Sequence, residues 1–320
     1  MNDFHRALII ADLEGIYDVY ALDDMNQCQK AYCDELLVYI DALLEYGIQN
    51  IVVCDAHNKG TLLYELLEVY ERKNVDVVST IAGINFDQKY DYAFLVGFHG
   101  MAYSCGIIPH SFRFNFKQVS VFYEKLNEYI PIGEVEVYMR WLGAKGIPVL
   151  LVSGDREAVY EASFFNPYRE TCCVKSFFEF KKLSRDFVFQ KIRGSIIQAL
   201  QLDYNSCLSI DQGNVRISFV HDDTLAALSH YEYIITDEGL IFNNCTDFVE
   251  NLYPLVNRLI EFDKYLMKIN RDFLQELRNQ TGSLNRTAFE ASEAGRLLSH
   301  HTLYSLNQKV RGEIKAFLGI

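Results

Sequence analysis

The stretch ALIIADLEG, residues 7–15, is five apolar residues that run straight into two carboxylates and a glycine. A short continuous apolar run closed by polar or glycine punctuation reads as a strand buried on both faces, as in parallel sheets. Ile51 to Cys54 (IVVC), Tyr92 to Val96 (YAFLV) and Pro148 to Val152 (PVLLV) share this pattern. Between the first two, Asp24 to Tyr46 places Ala31, Leu36, Leu37, Ile40, Leu43 and Leu44 at helical spacing, and Gly47 follows as a C-cap, completing a βαβ unit. A second helix is expected over Glu134 to Ala144 (EVEVYMRWLGA), with Gly146 after it and the Pro148 strand next. The alternation predicts an α/β fold: an N-terminal domain over residues 1–160 with a mostly parallel sheet and helices on both faces.

After residue 160 the pattern changes. Lys181 to Leu202 reads as a helix, while Val215 to Val220 and Tyr233 to Phe242 read as strands, the latter folded back at Asp237-Glu238-Gly239. A smaller α+β domain over 161–262 is the expectation. Helical patterns over Asp247 to Arg278, interrupted at Pro254, and over Arg296 to Leu318 surround the polar linker NQTGSLN, residues 279–285. Residues 263–320 are thus expected to form a C-terminal helical extension.

Composition narrows the function classes. The chain has 320 residues, half of them apolar, with 21 Tyr and 22 Phe, which suits a globular protein with an aromatic-rich core. Its 43 acidic and 30 basic residues give a formal net charge of -13, which argues against nucleic acid as a partner, because that affinity depends on clustered Lys and Arg. No apolar run approaches the roughly 18 residues needed to cross a bilayer, and Asp3 precedes too short an apolar stretch for a secretory signal. A cytoplasmic protein without membrane partners is expected. The eight cysteines form no C-x-x-C pair, so reduced thiols fit best.

Residues able to bind a metal follow the carboxyl ends of the expected strands. Asp12 and Glu14 follow the first, Asp55 and His57 the second, His99 the third and Asp155 the fourth. In open α/β sheets, ligands bind in the crevice beyond those strand ends, so one rim can gather all of them. Two residues apart in an extended segment, Asp12 and Glu14 project to one face and can share a cation. Taken alone, the pair reads equally well as the acidic first turn of a helix. His99 lies between Gly97 and Gly100, which permits close backbone approach and an open rim around the imidazole. His110 precedes Ser111, but neighbours in sequence rarely form a nucleophile–base pair, which disfavours a serine hydrolase. Glu134 opens a helix, where the macrodipole favours a carboxylate in any case. His5, His230, His221-Asp222-Asp223 and His300-His301 offer no comparable grouping.

Taken in order, Asp12-x-Glu14-Gly15, Asp55-x-His57, Gly97-x-His99, His110-Ser111 and Gly133-Glu134 resemble the D-aminopeptidase family of zinc metallopeptidases, the dipeptide-transport-associated type. The similarity covers about residues 6 to 262 by eye. This resemblance implies two zinc ions, with Asp12 bridging them, Glu14 and His57 completing one site and His99 and Glu134 the other. It implies that His110 acts beside the metals as acid/base or orients the tetrahedral intermediate, and that the protein is a homo-oligomer acting on small peptide or amide substrates. Two such metals, about 3.5–4 Å apart, acidify water and polarise a scissile carbonyl. Manganese or cobalt would also suit the donor set.

The chain departs from the family around one ligand. Cys54-Asp55-Ala56-His57-Asn58 stands where the family usually has Asn-Asp-Ser-His-Gly, and Thr61-Leu62-Leu63 occupies the place of a later asparagine. The expected activity is therefore hydrolysis of amide bonds in short, N-terminally free substrates, D-amino-acid peptides included. A specialised amide hydrolase or acyl-transfer enzyme of a biosynthetic pathway is the alternative, and a non-catalytic metal-stabilised scaffold a third.

Overall fold

In a computed structural model of the chain, residues 6–57, 75–113, 116–176, 183–220, 224, 228, 234–252 and 254–260 are described. Among them run strands β1 (Arg6–Ala11), β2 (Asn50–Asp55), β3 (Val75–Val78), β4 (Tyr92–Phe98), β5 (Phe116–Tyr123), β6 (Glu128–Ile132), β7 (Val149–Asp155), β8 (Glu170–Lys175), β9 (Val215–Phe219), β10 (Ile234–Thr236) and β11 (Gly239–Phe242). Four helices accompany them: α1 (Met25–Glu45), α2 (Glu134–Ala144), α3 (Arg156–Phe165) and α4 (Arg185–Ala199). Residues 245–252 and 254–260 are also helical. The extension 263–320, His5, His221-Asp222-Asp223, His230, His300-His301 and the segment Thr61-Leu62-Leu63 lie outside the described residues.

The local chemistry accounts for these elements. Asp24 caps α1, its carboxylate accepting from Gln27 N–H at 3.2 Å, and Gly47 takes φ 92° just past the helix end, where a side chain would be strained. Ala7, Ile9 and Ala11 of β1 share one core with the inner faces of α1 and α4. Leu8 and Ile10 are equally buried on the opposite face of the sheet. A strand enclosed on both sides has no polar face, which is why the run is uniformly apolar. Each fully buried Leu or Ile contributes about 1.5–3 kcal/mol.

Six strands form a parallel sheet in the order β3-β2-β1-β4-β7-β8. The chain winds outward from β1 through β2 to β3, then returns to the other side of β1 as β4. The order therefore reverses between β1 and β4, the place where open α/β sheets leave a crevice beyond their strand ends. The α/β class expected from the sequence is the fold the chain adopts.

A second sheet, antiparallel, has the order β10-β11-β9-β5-β6. Two of its strands, β5 and β6, come before residue 160 and three after, so the sheet crosses the boundary expected between the first two domains. The chain divides into two compact units, Met1–His221 with Ile234–Glu250, and Asp222–Tyr233 with Asn251–Ile320. All six expected site residues belong to the first. Among the described residues, no helix is long and apolar enough to cross a membrane.

Candidate metal centre

β1 delivers Asp12 and Glu14 into the crevice. Asp12 N–H donates to the Val96 carbonyl at 2.8 Å and Gly15 N–H to the Gly97 carbonyl at 2.7 Å, so this loop is fastened to the end of β4. The approach is close enough to exclude side chains: a Cβ on Gly15 would sit 1.7 Å from the Phe98 carbonyl oxygen. Gly97, at φ 73°, faces the Asp12 carbonyl in the same way, with 2.2 Å available for a Cβ. These two glycines bring the carboxylates of one strand end beside the imidazole of the other.

Asp12 lies between two histidines. Its Oδ1 is 3.6 Å from His57 Nδ1 and its Oδ2 is 3.3 Å from His99 Nε2. Glu14 Oε2 is 3.1 Å from the same His57 nitrogen. Glu134, the first residue of α2, places Oε1 3.4 Å from His99 Nε2, and that oxygen also accepts from Phe112 N–H at 2.6 Å. His57 is steadied by Asp55, whose Oδ1 accepts from His57 N–H at 3.2 Å and from the Tyr32 hydroxyl at 3.4 Å.

His110 sits flat against His99, with ring centroids 4.1 Å apart and planes 4° from parallel. Its Nδ1 faces the Ile108 carbonyl at 3.1 Å and so carries the proton there, leaving Nε2 turned into the pocket, 4.0 Å from Glu14 Oε1. The donor atoms of Asp12, Glu14 and His99, and those of His99, His110 and Glu134, fall into two groups in which all lie within 4.8 Å of one another. The six residues singled out in the sequence are thus gathered into one pocket.

The donor set suits a cation. Asp12, Glu14, His99 and Glu134 are all buried, with His99 only 1% exposed, yet Asp12 Oδ2 and His99 Nε2 have no hydrogen-bond partner among the described residues. Buried polar atoms without a well-formed hydrogen bond are costly, and these two stand 3.3 Å apart, where one shared cation would satisfy both. Electrostatics gives the same answer. Burial alone would lower the His57 pKa, but the Asp12 and Glu14 carboxylates outweigh it and raise the ring to about 10. Burial likewise opposes protonation of His99, and Asp12 and Glu134 overcome it, holding the ring well above its ordinary value. Burial pushes the Asp12 carboxyl up, and its two histidine partners pull it down further than burial raises it. Three carboxylates in a buried pocket therefore demand positive charge, which protons supply in the metal-free protein and a metal would supply on displacing them.

Three buried charged groups around this pocket were not assigned a role from the sequence. Asp155, at the end of β7, was placed on the rim, but Glu161 and Lys175 carried no motif. Lys175 Nζ donates to the Glu14 carbonyl at 2.5 Å and to the Val19 carbonyl, pinning the loop that follows β1. Glu161 Oε1 accepts from Gly133 N–H at 2.8 Å and Glu136 N–H at 3.0 Å, at the N-terminus of the helix that carries Glu134.

Comparison with known proteins bears on what this pocket is. A family model described as D-aminopeptidase matches residues 6–233. The chain belongs to the D-aminopeptidase family. All six pocket residues fall within the matched range. A curated D-aminopeptidase of Bacillus subtilis (strain 168) is 30% identical to the chain over 133 residues, spanning 40% of this chain and 46% of that relative, which is less than half of the relative's length. Among solved structures, the Zn-dependent D-aminopeptidase DppA from Bacillus subtilis, a self-compartmentalizing protease, is similar with a TM-score of 0.66 and 20% identity, over 79% of this chain and 98% of that one. At that identity the likeness is one of fold.

Proposed function

We propose that the chain is a metal-dependent hydrolase that cleaves the amide bonds of short peptides with a free N-terminus, D-amino-acid peptides included. In this reading Asp12, Glu14 and His57 would hold one zinc ion, and Asp12, His99 and Glu134 would hold a second. The observation that carries it is the position of Asp12, with one carboxylate oxygen toward each of two imidazoles and a further carboxylate beyond each. When bound, zinc in such a donor set acidifies water and polarises a carbonyl. Mixed oxygen and nitrogen donors leave manganese and cobalt as alternatives.

The protein's own groups do the rest. His110 Nε2, its ring fixed by the bond from Nδ1–H to Ile108 and by stacking on His99, is placed to take a proton from water and return it to the departing amine. Glu14 beside His57 and Glu134 beside His99 would each supply a carboxylate oxygen to a dication held there. The rim's burial excludes bulk water, which strengthens each of these interactions.

Membership of the family and the fold shared with a self-compartmentalizing protease support a homo-oligomer whose assembly limits substrates to small peptides. A cytoplasmic location fits the sequence. The substitutions around Cys54-Asp55-Ala56-His57-Asn58 favour a second reading in which the same centre cleaves one specialised amide. A panel of L- and D-aminoacyl amides and dipeptides separates the two, since broad D-selective turnover excludes the second.

Asp12→Ala is expected to abolish turnover and most of the bound zinc together. His110→Ala is expected to reduce turnover by about 100-fold or more, the scale of a general acid–base contribution, while zinc content measured by elemental analysis stays near that of the parent protein. Full turnover in both variants would rule the assignment out.

A further inference from the structure

We propose that Asp155 is a positioning residue that sets the His99 and His110 imidazoles through the backbone of a single residue, Gly100; this rests on the metal-binding reading above. Gly100 is a junction. Its N–H donates to Asp155 Oδ2 at 3.1 Å, while its carbonyl accepts from His99 Nδ1 at 2.9 Å and from the His110 backbone N–H at 3.2 Å. Asp155 therefore holds, by the Gly100 backbone N–H, the one residue whose carbonyl serves both histidines.

The same carboxylate reaches the other end of the loop. Asp155 Oδ2 also accepts from Ile107 N–H at 3.3 Å, and the adjacent Ile108 carbonyl takes His110 Nδ1–H. The loop between His99 and His110 is thus clamped at Gly100 and at Ile107 by one oxygen atom. Packing leaves little freedom for another arrangement: a Cβ on Gly106 would lie 2.9 Å from Asp155 Oδ2, and one on Gly100 would lie 2.3 Å from Ser104 Oγ. The carboxylate is 1% exposed.

One consequence follows for the metal-facing nitrogen of His99. With Nδ1 next to a carbonyl, His99 must carry its proton there, which directs the Nε2 lone pair toward Asp12 and Glu134. Ligating histidines characteristically donate their second N–H to a carboxylate or a backbone carbonyl. Here His99 has the carbonyl of Gly100, and the Asp155 carboxylate fixes the N–H of that same residue.

Asp155 also has a purely structural task, which the test has to separate. Its Oδ1 accepts from Ala158 N–H at 2.9 Å and caps α3. Serine is as good an N-cap as aspartate, but its single hydroxyl cannot also reach Gly100 and Ile107. Asp155→Ser therefore preserves the cap and removes the clamp.

The experiment is competition of the full-length protein with a chromophoric chelator for zinc, alongside the visible spectrum of the cobalt-substituted protein. Asp155→Ser is expected to weaken zinc affinity about 10–100-fold, the range for loss of an outer-shell partner. It should also shift the cobalt spectrum, and keep the metal-free Tm within about 4 °C of the parent. Parental zinc affinity and an unchanged cobalt spectrum in the variant would overturn the proposal. A parent protein that binds no zinc would instead overturn the metal reading itself. Should Asp155→Ser not fold, Asp155→Asn, which keeps the shape but offers one acceptor oxygen in place of two, carries the same expectations.

Discussion

Gly15 and Gly97 decide whether the centre can exist, because the chain on either side of each passes within contact distance of another backbone. At Gly15 an added methyl would meet the Phe98 carbonyl at 1.7 Å, closer than any adjustment of side chains can relieve. Gly15→Ala is expected to push the loop after β1 away from the end of β4, destabilising the protein by about 1–3 kcal/mol, as overpacking does. It should also release zinc, because Asp12 and His99 separate; urea unfolding and elemental analysis read the two effects. The glycine after Asp12-x-Glu14 was visible in the sequence as a sharp turn, whereas its partner backbone was not. Lys175 was invisible altogether. It ends β8 (ETCCVK), its charge is buried against carbonyls of a loop far away in sequence, and burial lowers its pKa to about 8. No local pattern announces a lysine used in that way.

At the scale of elements, the N-terminus of α2 is the weak point of the centre, because the helix that presents Glu134 begins at Gly133, which has no side chain to cap it. Glu161 of α3 supplies the missing acceptor. Burial raises its carboxyl to about 8 even though two backbone N–H groups favour the charged form. The direction of the pH effect follows. The folded protein keeps a proton on Glu161 that the unfolded chain, with its carboxyl at the ordinary value of 4.5, has released, so stability is lost as pH rises from about 4.5 to about 8. Glu161→Gln keeps an oxygen for Gly133 and Glu136 and removes the titration. Unfolding of the metal-free proteins at pH 5 and pH 9 should show the variant gaining on the parent at the higher pH; an equal difference at both would show that Glu161 stays charged in the fold. Helices α1 and α2 were legible because their apolar positions recur at helical spacing and a glycine follows each. Strands β5 (FKQVSVFY) and β6 (EYIPI) were not, since polar residues interrupt both and Pro131 lies within the second. In α3, the exposed Tyr160 and Phe164 blur the apolar face that would have marked it.

For the molecule as a whole, the site is a consequence of strand order. Each apolar run announced a buried strand and each polar residue at its end a rim, so Asp12, Glu14, His57 and His99 could be read from position, whereas His110 and Glu134 joined them only through the family resemblance. The order β3-β2-β1-β4-β7-β8, which puts β1 and β4 side by side, depends on long-range pairing that no spacing encodes. For the same reason the second sheet, assembled from hairpins on both sides of residue 160, was not anticipated as one sheet. The grouping of Asp12, Glu14, His57, His99, His110 and Glu134 rests on that adjacency of β1 and β4, and on it rests the proposal of two metals sharing Asp12. Crystals of the zinc-loaded protein, measured on both sides of the zinc absorption edge, address it directly. The account predicts two anomalous peaks roughly 3.5–4 Å apart, with the Asp12 carboxylate between them, His57 on one and His99 on the other. A single peak away from Asp12, or none with zinc in excess, would contradict it.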